Sequence, residues 1–154
     1  MQLTDATSVK QLLADHGLKA THQRLVIYRA LCTGLQHPSA EQVHDMLREE
    51  NPSLSLGTVY KTLDTLVQAG LLKRVHSEEG IMRYDAHVAP HNHLYCTNTN
   101  EIIDYADPEL SEIISAYLSK KHFTNFEVNA VSVQISGVKP NPDLAAAVED
   151  LPKQ

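Results

Sequence analysis

Residues 55–86 read SLGTVYKTLDTLVQAGLLKRVHSEEGIMRYDA, and a change of period inside this stretch decides the fold. Over its first half Val59, Leu63, Leu66 and Val67 recur at helical spacing, and Gly70 supplies a C-terminal stop. Beyond Gly70 the period shortens. LLKRVHS (71–77) and GIMRYDA (80–86) flank a polar Glu-Glu-Gly turn and read as a β-hairpin. Three helical stretches precede. Ser8 to His16 carries Val9, Leu12 and Leu13 on one face and stops at Gly17. Thr21 caps HQRLVIYRALCT, with Leu25, Tyr28, Leu31 and Cys32 in register. Ser39 caps AEQVHDMLREE, and Gln42 three residues later completes a capping box.

Helices followed by a hairpin are the layout of a winged helix, in which the last helix enters the major groove and the hairpin touches backbone. Lys61 on that helix, and Lys73, Arg74 and Arg83 on the hairpin, are candidate phosphate contacts. Thr58 and Tyr60 offer a hydroxyl and a ring edge to bases. The plainer reading is a small packed domain with ordinary surface charges, in which Tyr60 belongs to the core. The second half of the chain separates the two.

The chain has 154 residues, 42% hydrophobic and 21% charged, which suits a globular protein and excludes a disordered one. No apolar run reaches transmembrane length and the N-terminus has no signal core, so a cytoplasmic protein is expected. Two distant cysteines, Cys32 and Cys96, make no disulfide framework. A net charge of −6 argues against nucleic acid until its distribution is read. Residues 1–84 hold nine Lys/Arg and nine Asp/Glu; residues 85–154 hold four and ten, and supply the whole imbalance. The expected organisation is an N-terminal winged-helix DNA-binding domain (1–84), a hinge (85–90), an α/β dimerisation and metal-sensing domain (91–140) and a tail (141–154) forming one loose helical turn or two. The fold class is α+β.

The acidic half opens on HVAPHNHLYCTNTNEIIDY (87–105). HNHLYCT and EIIDYA are strand-like runs around an Asn98–Asn100 turn, and strand alternation puts His91 and His93 on one face. Asp104 lies on the next strand. A hairpin would bring these three together, and Asp85 and His37 would add ligands from the other half. Mixed nitrogen and oxygen donors favour Fe(II), Mn(II) or Zn(II) over a sulfur-rich site. Each residue has a plainer role as well: His37 is an ordinary turn residue before Pro38, and Asp104 a solvated strand position. His87 lies in the hinge and is left out; His16, His22, His44, His76 and His122 read as solvated. Further on, Pro108 opens ELSEIISAYLSKK, with Leu110, Ile113, Ile114, Tyr117 and Leu118 on one face. FEVNAVSVQISGV then alternates, placing Val131, Val133 and Ile135 together on a one-sided sheet suited to pairing with a second copy.

Taken together, GLKATHQRLVIYRAL, HPSAEQV, SLGTVYKTLDTLVQAGLL, RYD and HNHLYC…EIIDY resemble the ferric uptake regulator family, and within it the peroxide-responsive branch, from about Leu12 to Val138. The resemblance implies a regulatory metal site at His37, Asp85, His91, His93 and Asp104. It also implies that aspartate at 104 goes with peroxide sensing, where iron-uptake repressors tend to carry glutamate. The family's structural zinc needs two Cys-x-x-Cys pairs. Here the first has become Cys96-Thr-Asn-Thr99 and the second falls at Lys139 and Pro142, so no four-cysteine zinc site is expected and Cys96 becomes a small buried strand residue. The family's additional metal site takes a last-strand histidine, and Asn129, Ala130 and Val131 offer none.

The function so implied is a homodimeric, metal-dependent repressor on a palindromic double-stranded operator. Fe(II) or Mn(II) would occupy the regulatory site, with Zn(II) possible as purified. Peroxide would oxidise His37 or His91 of the Fe(II) form. One alternative is a repressor responding to iron or manganese supply. Another, from a different class, is a small non-heme iron enzyme using two histidines and a carboxylate.

Overall fold

The computed structural model describes residues 5–149, and the chain divides into two compact units, Met1–Ala89 and Pro90–Gln154. The first unit runs α1 (Ala6–Asp15), α2 (His22–Thr33), α3 (Ala40–Leu47), α4 (Leu56–Gln68), β1 (Lys73–His76) and β2 (Met82–Asp85). Three helices start on side-chain caps that satisfy otherwise orphaned amides. The Thr21 hydroxyl accepts from the Arg24 amide, the Ser55 hydroxyl accepts from the Thr58 amide, and Ser39 with Gln42 closes a full capping box. Gly70 ends α4 at φ +78, a conformation that costs a side-chain-bearing residue far more.

One face of every helix points inward. Val9, Leu13, Ile27, Val43, Val59, Leu63 and Leu66 are fully enclosed, and Leu71, Leu72 and Tyr84 carry the core beneath the hairpin. Each such aliphatic side chain contributes about 1.5–3 kcal/mol by leaving water. The hairpin is antiparallel, with Lys73 opposite Asp85 and Val75 opposite Arg83. Helices followed by a two-stranded wing are the layout expected from residues 55–86.

The second unit runs β3 (Asn92–Cys96), β4 (Ile102–Tyr105), α5 (Pro108–Leu118) and β5 (Gln134–Gly137). The sheet order is β4-β3-β5, with β3 and β4 antiparallel and β5 parallel to β3. Tyr95, Cys96 and Ile102 are buried, Cys96 as the sequence suggested. Three expectations change here. The alternating run 126–138 is strand only over Gln134–Gly137, because parallel pairing with β3 engages that end alone. The helix α5 buries no residue in this chain, and Ile113 and Tyr117 stay exposed. Residues 141–149 form no helix, and the rest of the tail lies outside the described residues.

Where the resemblance places cysteines, this chain has hydrogen bonds. Asn98 in the β3–β4 turn accepts from the Lys139 amide at 3.0 Å and donates to the Lys139 carbonyl at 2.9 Å. The nearly buried Lys139 ammonium donates to Glu101 Oε2 at 2.7 Å, and the Thr99 hydroxyl reaches the same oxygen at 3.0 Å. These bonds fasten the chain beyond β5 to the turn. The Lys139 ammonium, and after it the Thr99 hydroxyl, hold the Glu101 carboxyl below the usual glutamate range. A depressed carboxyl contributes stability above its unfolded pKa and loses it as pH falls through the folded value. The wild-type protein is therefore expected to melt higher than Lys139→Met near neutrality, with the gap closing below about pH 4.3. A gap that does not narrow in thermal melts across that range would rule out the ion pair as its source.

Among the described residues no helix is long and apolar enough to cross a membrane.

Candidate metal centre and nucleic-acid interface

In the first unit, His37 sits at φ +49 in the turn between α2 and α3, a left-handed conformation that a non-glycine residue adopts only when its surroundings hold it there. Its side chain is 2% exposed, and its Nε2 lies 3.3 Å from Oδ2 of Asp85, itself 8% exposed at the end of β2. The other oxygen of Asp85 accepts from the His87 amide at 2.8 Å, which fixes the carboxylate plane. His87 thus serves through its backbone.

In the second unit, register pairs His93 directly with Asp104. His91 stands just ahead of β3, and its ring meets the His93 ring edge-on at 4.5 Å between centroids. Both Nε2 atoms address one oxygen: His91 lies 3.1 Å and His93 3.6 Å from Asp104 Oδ1. The structure therefore brings His37 to Asp85, and His91 and His93 to Asp104, as two imidazole–carboxylate groups, one in each unit.

The chemistry of each group fits a divalent ion. Around an ion with bonds of about 2.1 Å, neighbouring ligand atoms stand ~3.0–3.4 Å apart, and nitrogen and oxygen donors suit zinc, iron or manganese. The observed separations are close to that spacing. Cys32 adds nothing, since burial pushes its thiol up and away from the reactive thiolate.

The candidate DNA contacts divide by their engagement. Lys61 and Lys73 are exposed. Arg74 is exposed but donates to Asp64 at 2.6 Å. Thr58 shares its hydroxyl with Ser55 at 2.9 Å in the α4 cap. Tyr60, 40% exposed and so outside the core, donates its hydroxyl to Glu41 of α3 at 2.5 Å. Arg83 turns inward: it is 12% exposed and donates to Gln42 Oε1 at 2.9 Å and to Glu79 at 2.5 Å. Sequence reasoning saw Gln42 only as a helix cap and did not single out Glu41 or Glu79. The capping-box spacing was the one available signal for Gln42.

The ferric uptake regulator family model matches residues 15–135, most of the chain. This chain belongs to the ferric uptake regulator family. A peroxide-responsive repressor of Staphylococcus aureus is 29% identical over 126 residues, 82% of this chain and 83% of that protein. The crystal structure of a Campylobacter jejuni peroxide stress regulator is similar with a TM-score of 0.66 at 32% identity, covering 86% of this chain and 96% of that one. The Vibrio cholerae ferric uptake regulator, whose DNA-binding domains are described as rearranged, gives a TM-score of 0.72 at 29% identity over 85% of this chain and 99% of that one. As a member of the ferric uptake regulator family the chain is a transcriptional repressor with a candidate His/Asp metal site, and the enzyme alternative falls.

Proposed function

We propose that this repressor holds one divalent ion per chain through His37, Asp85, His91, His93 and Asp104 together, and that peroxide ends its repression. Residues 85–90 then act as the hinge that the ion fixes, which sets the spacing of two winged helices on a palindromic operator. The protein works as a homodimer in the cytoplasm, with Thr58, Tyr60, Lys61, Lys73 and Arg74 facing DNA. The observation that carries the reading is Asp104, a short carboxylate addressed by two imidazoles, in a chain similar to peroxide-responsive repressors. Fe(II), when bound, supplies the electrons that reduce hydrogen peroxide. His37 and His91 would hold the ion through their imidazoles, and these would be the groups that peroxide chemistry at the ion modifies. Mn(II) would support DNA binding without that sensitivity. The similarity to the Vibrio cholerae ferric uptake regulator favours a second reading, a sensor of iron or manganese supply at the same residues.

A mobility-shift titration with fragments of the source genome, with Mn(II) and with chelator, tests the class. Only the metal-loaded protein is expected to bind, with a steep salt dependence despite the net charge of −6. Lys61→Met should lower the slope of log K against log salt by about one unit, as for one phosphate contact removed. An unaltered slope would take Lys61 off the DNA surface.

A further inference from the structure

The Gln42 side-chain oxygen accepts two hydrogen bonds from different parts of the first unit. One comes from the Ser39 amide at 2.9 Å, two residues after His37. The other comes from Arg83 Nη1 at 2.9 Å, two residues before Asp85. Between them the Tyr84 amide donates to the Pro38 carbonyl at 3.0 Å. The turn carrying His37 and the strand carrying Asp85 are thus stitched together at adjacent residues. Arg83 extends the stitch outward, since its other nitrogen meets Glu79 at the tip of the wing. The two bonds to Gln42 are partly shielded from water, which strengthens them, while the Arg83–Glu79 bond is exposed at the wing.

We propose that Gln42 and Arg83 are positioning residues for the metal centre, holding His37 and Asp85 at ligating separation and tying their geometry to the wing. The left-handed backbone of His37 needs such support, because a strained conformation persists only where the surroundings over-determine it. A carboxamide suffices as the hub because its oxygen has two lone pairs, one for each donor. The guanidinium is required on the strand because one planar fork reaches Gln42 and Glu79 at once, which a lysine ammonium on a single stem does not reproduce. The inference rests on the metal-dependent reading and deepens it. It also gives Arg83 a task other than phosphate contact.

The test is Mn(II) binding by the full-length protein without DNA, followed by the electron paramagnetic resonance of the free ion. Wild type, Gln42→Met, Gln42→Glu, Arg83→Met, Arg83→Lys and His37→Ala are compared, each first checked for its fold by circular dichroism. Gln42→Met and Arg83→Met should weaken Mn(II) binding about 10–100-fold, as losses of outer-shell partners do. Gln42→Glu keeps the oxygen and the capping box and should restore affinity towards wild type, and Arg83→Lys should fall between. If the Met variants bind Mn(II) like wild type and only melt lower or bind DNA less tightly, the residues are merely structural or contact phosphate, and the proposal is overturned. Should Arg83→Met fail to fold, Arg83→Lys and the Gln42 pair decide alone. Wild type without saturable Mn(II) binding, or His37→Ala binding as well as wild type, would overturn the metal reading itself and this inference with it.

Discussion

Low hydrogen peroxide should add one oxygen atom to His37 or His91 of the iron-loaded protein and release it from DNA, while the manganese-loaded protein should stay bound and unmodified. The side chains of both histidines are shielded, at 2% and 7% exposure, so an oxidant from bulk water reaches them poorly, and oxidation there would point to chemistry at a bound ion. Oxidation of either imidazole would remove one ligand from the proposed set of five. If the ion fixes the hinge, release from the operator should be nearly complete. Asp104→Glu keeps the charge but moves the carboxylate relative to both Nε2 atoms that share its oxygen. It should leave metal and DNA binding largely intact and blunt the oxidation. Tandem mass spectrometry of tryptic peptides spanning His37 and His91 locates the oxygen. Modification confined to Met46, Met82 or Cys96, with DNA still held, would defeat the peroxide reading and leave the metal-supply sensor.

Ile113→Asp should convert the dimer to monomer at micromolar concentration. In the single chain α5 carries Ile113 and Tyr117 at 59% and 58% exposure, and Ile135 and Val138 are exposed on and after the edge strand β5. An exposed apolar helix face and an open sheet edge in one unit are what a second copy would cover. A groove of about 680 Å³ between α5 and residues 128–131, lined by Ile114, Leu118, Phe123 and Val131, adds to that surface. A carboxylate in place of Ile113 forfeits the apolar burial and brings a charge into the contact, at about 2 kcal/mol or more per copy. Twofold symmetry counts the change twice, so the dimer dissociation constant should rise ~1,000-fold. Sedimentation equilibrium reads this directly, and an unshifted dimer would place the interface elsewhere.

The features legible in the sequence are those fixed by neighbours in the chain. The period of Val59, Leu63 and Leu66 marks a helix because residues three and four apart share a face, and the shift to period two at Leu71 marks the hairpin for the same reason. Thr21 and Ser39 cap helices through amides three residues away, so their function is local too. The candidate donors His37, Asp85, His91, His93 and Asp104 are legible from residue type, strand alternation and family motifs.

Tertiary structure alone decided which partner each polar side chain takes. Gln42 meets Arg83, and Asn98 meets Lys139, across 41 residues in each case, a separation at which no period links the two positions. Arg83 looked like a phosphate contact because an arginine on a wing is usually solvated; packing between β2 and the start of α3 turned it inward. The extent of β5 was hidden for a similar reason. Alternation continues through Val131 and Val133, but a strand exists only where a neighbour supplies hydrogen bonds, and β3 offers them to Gln134–Gly137. Local periodicity thus determined the elements of this protein, while long-range pairing determined which of its charged and amide groups are engaged within the chain, as Gln42 and Arg83 are, and which, like Lys61 and Lys73, stay exposed.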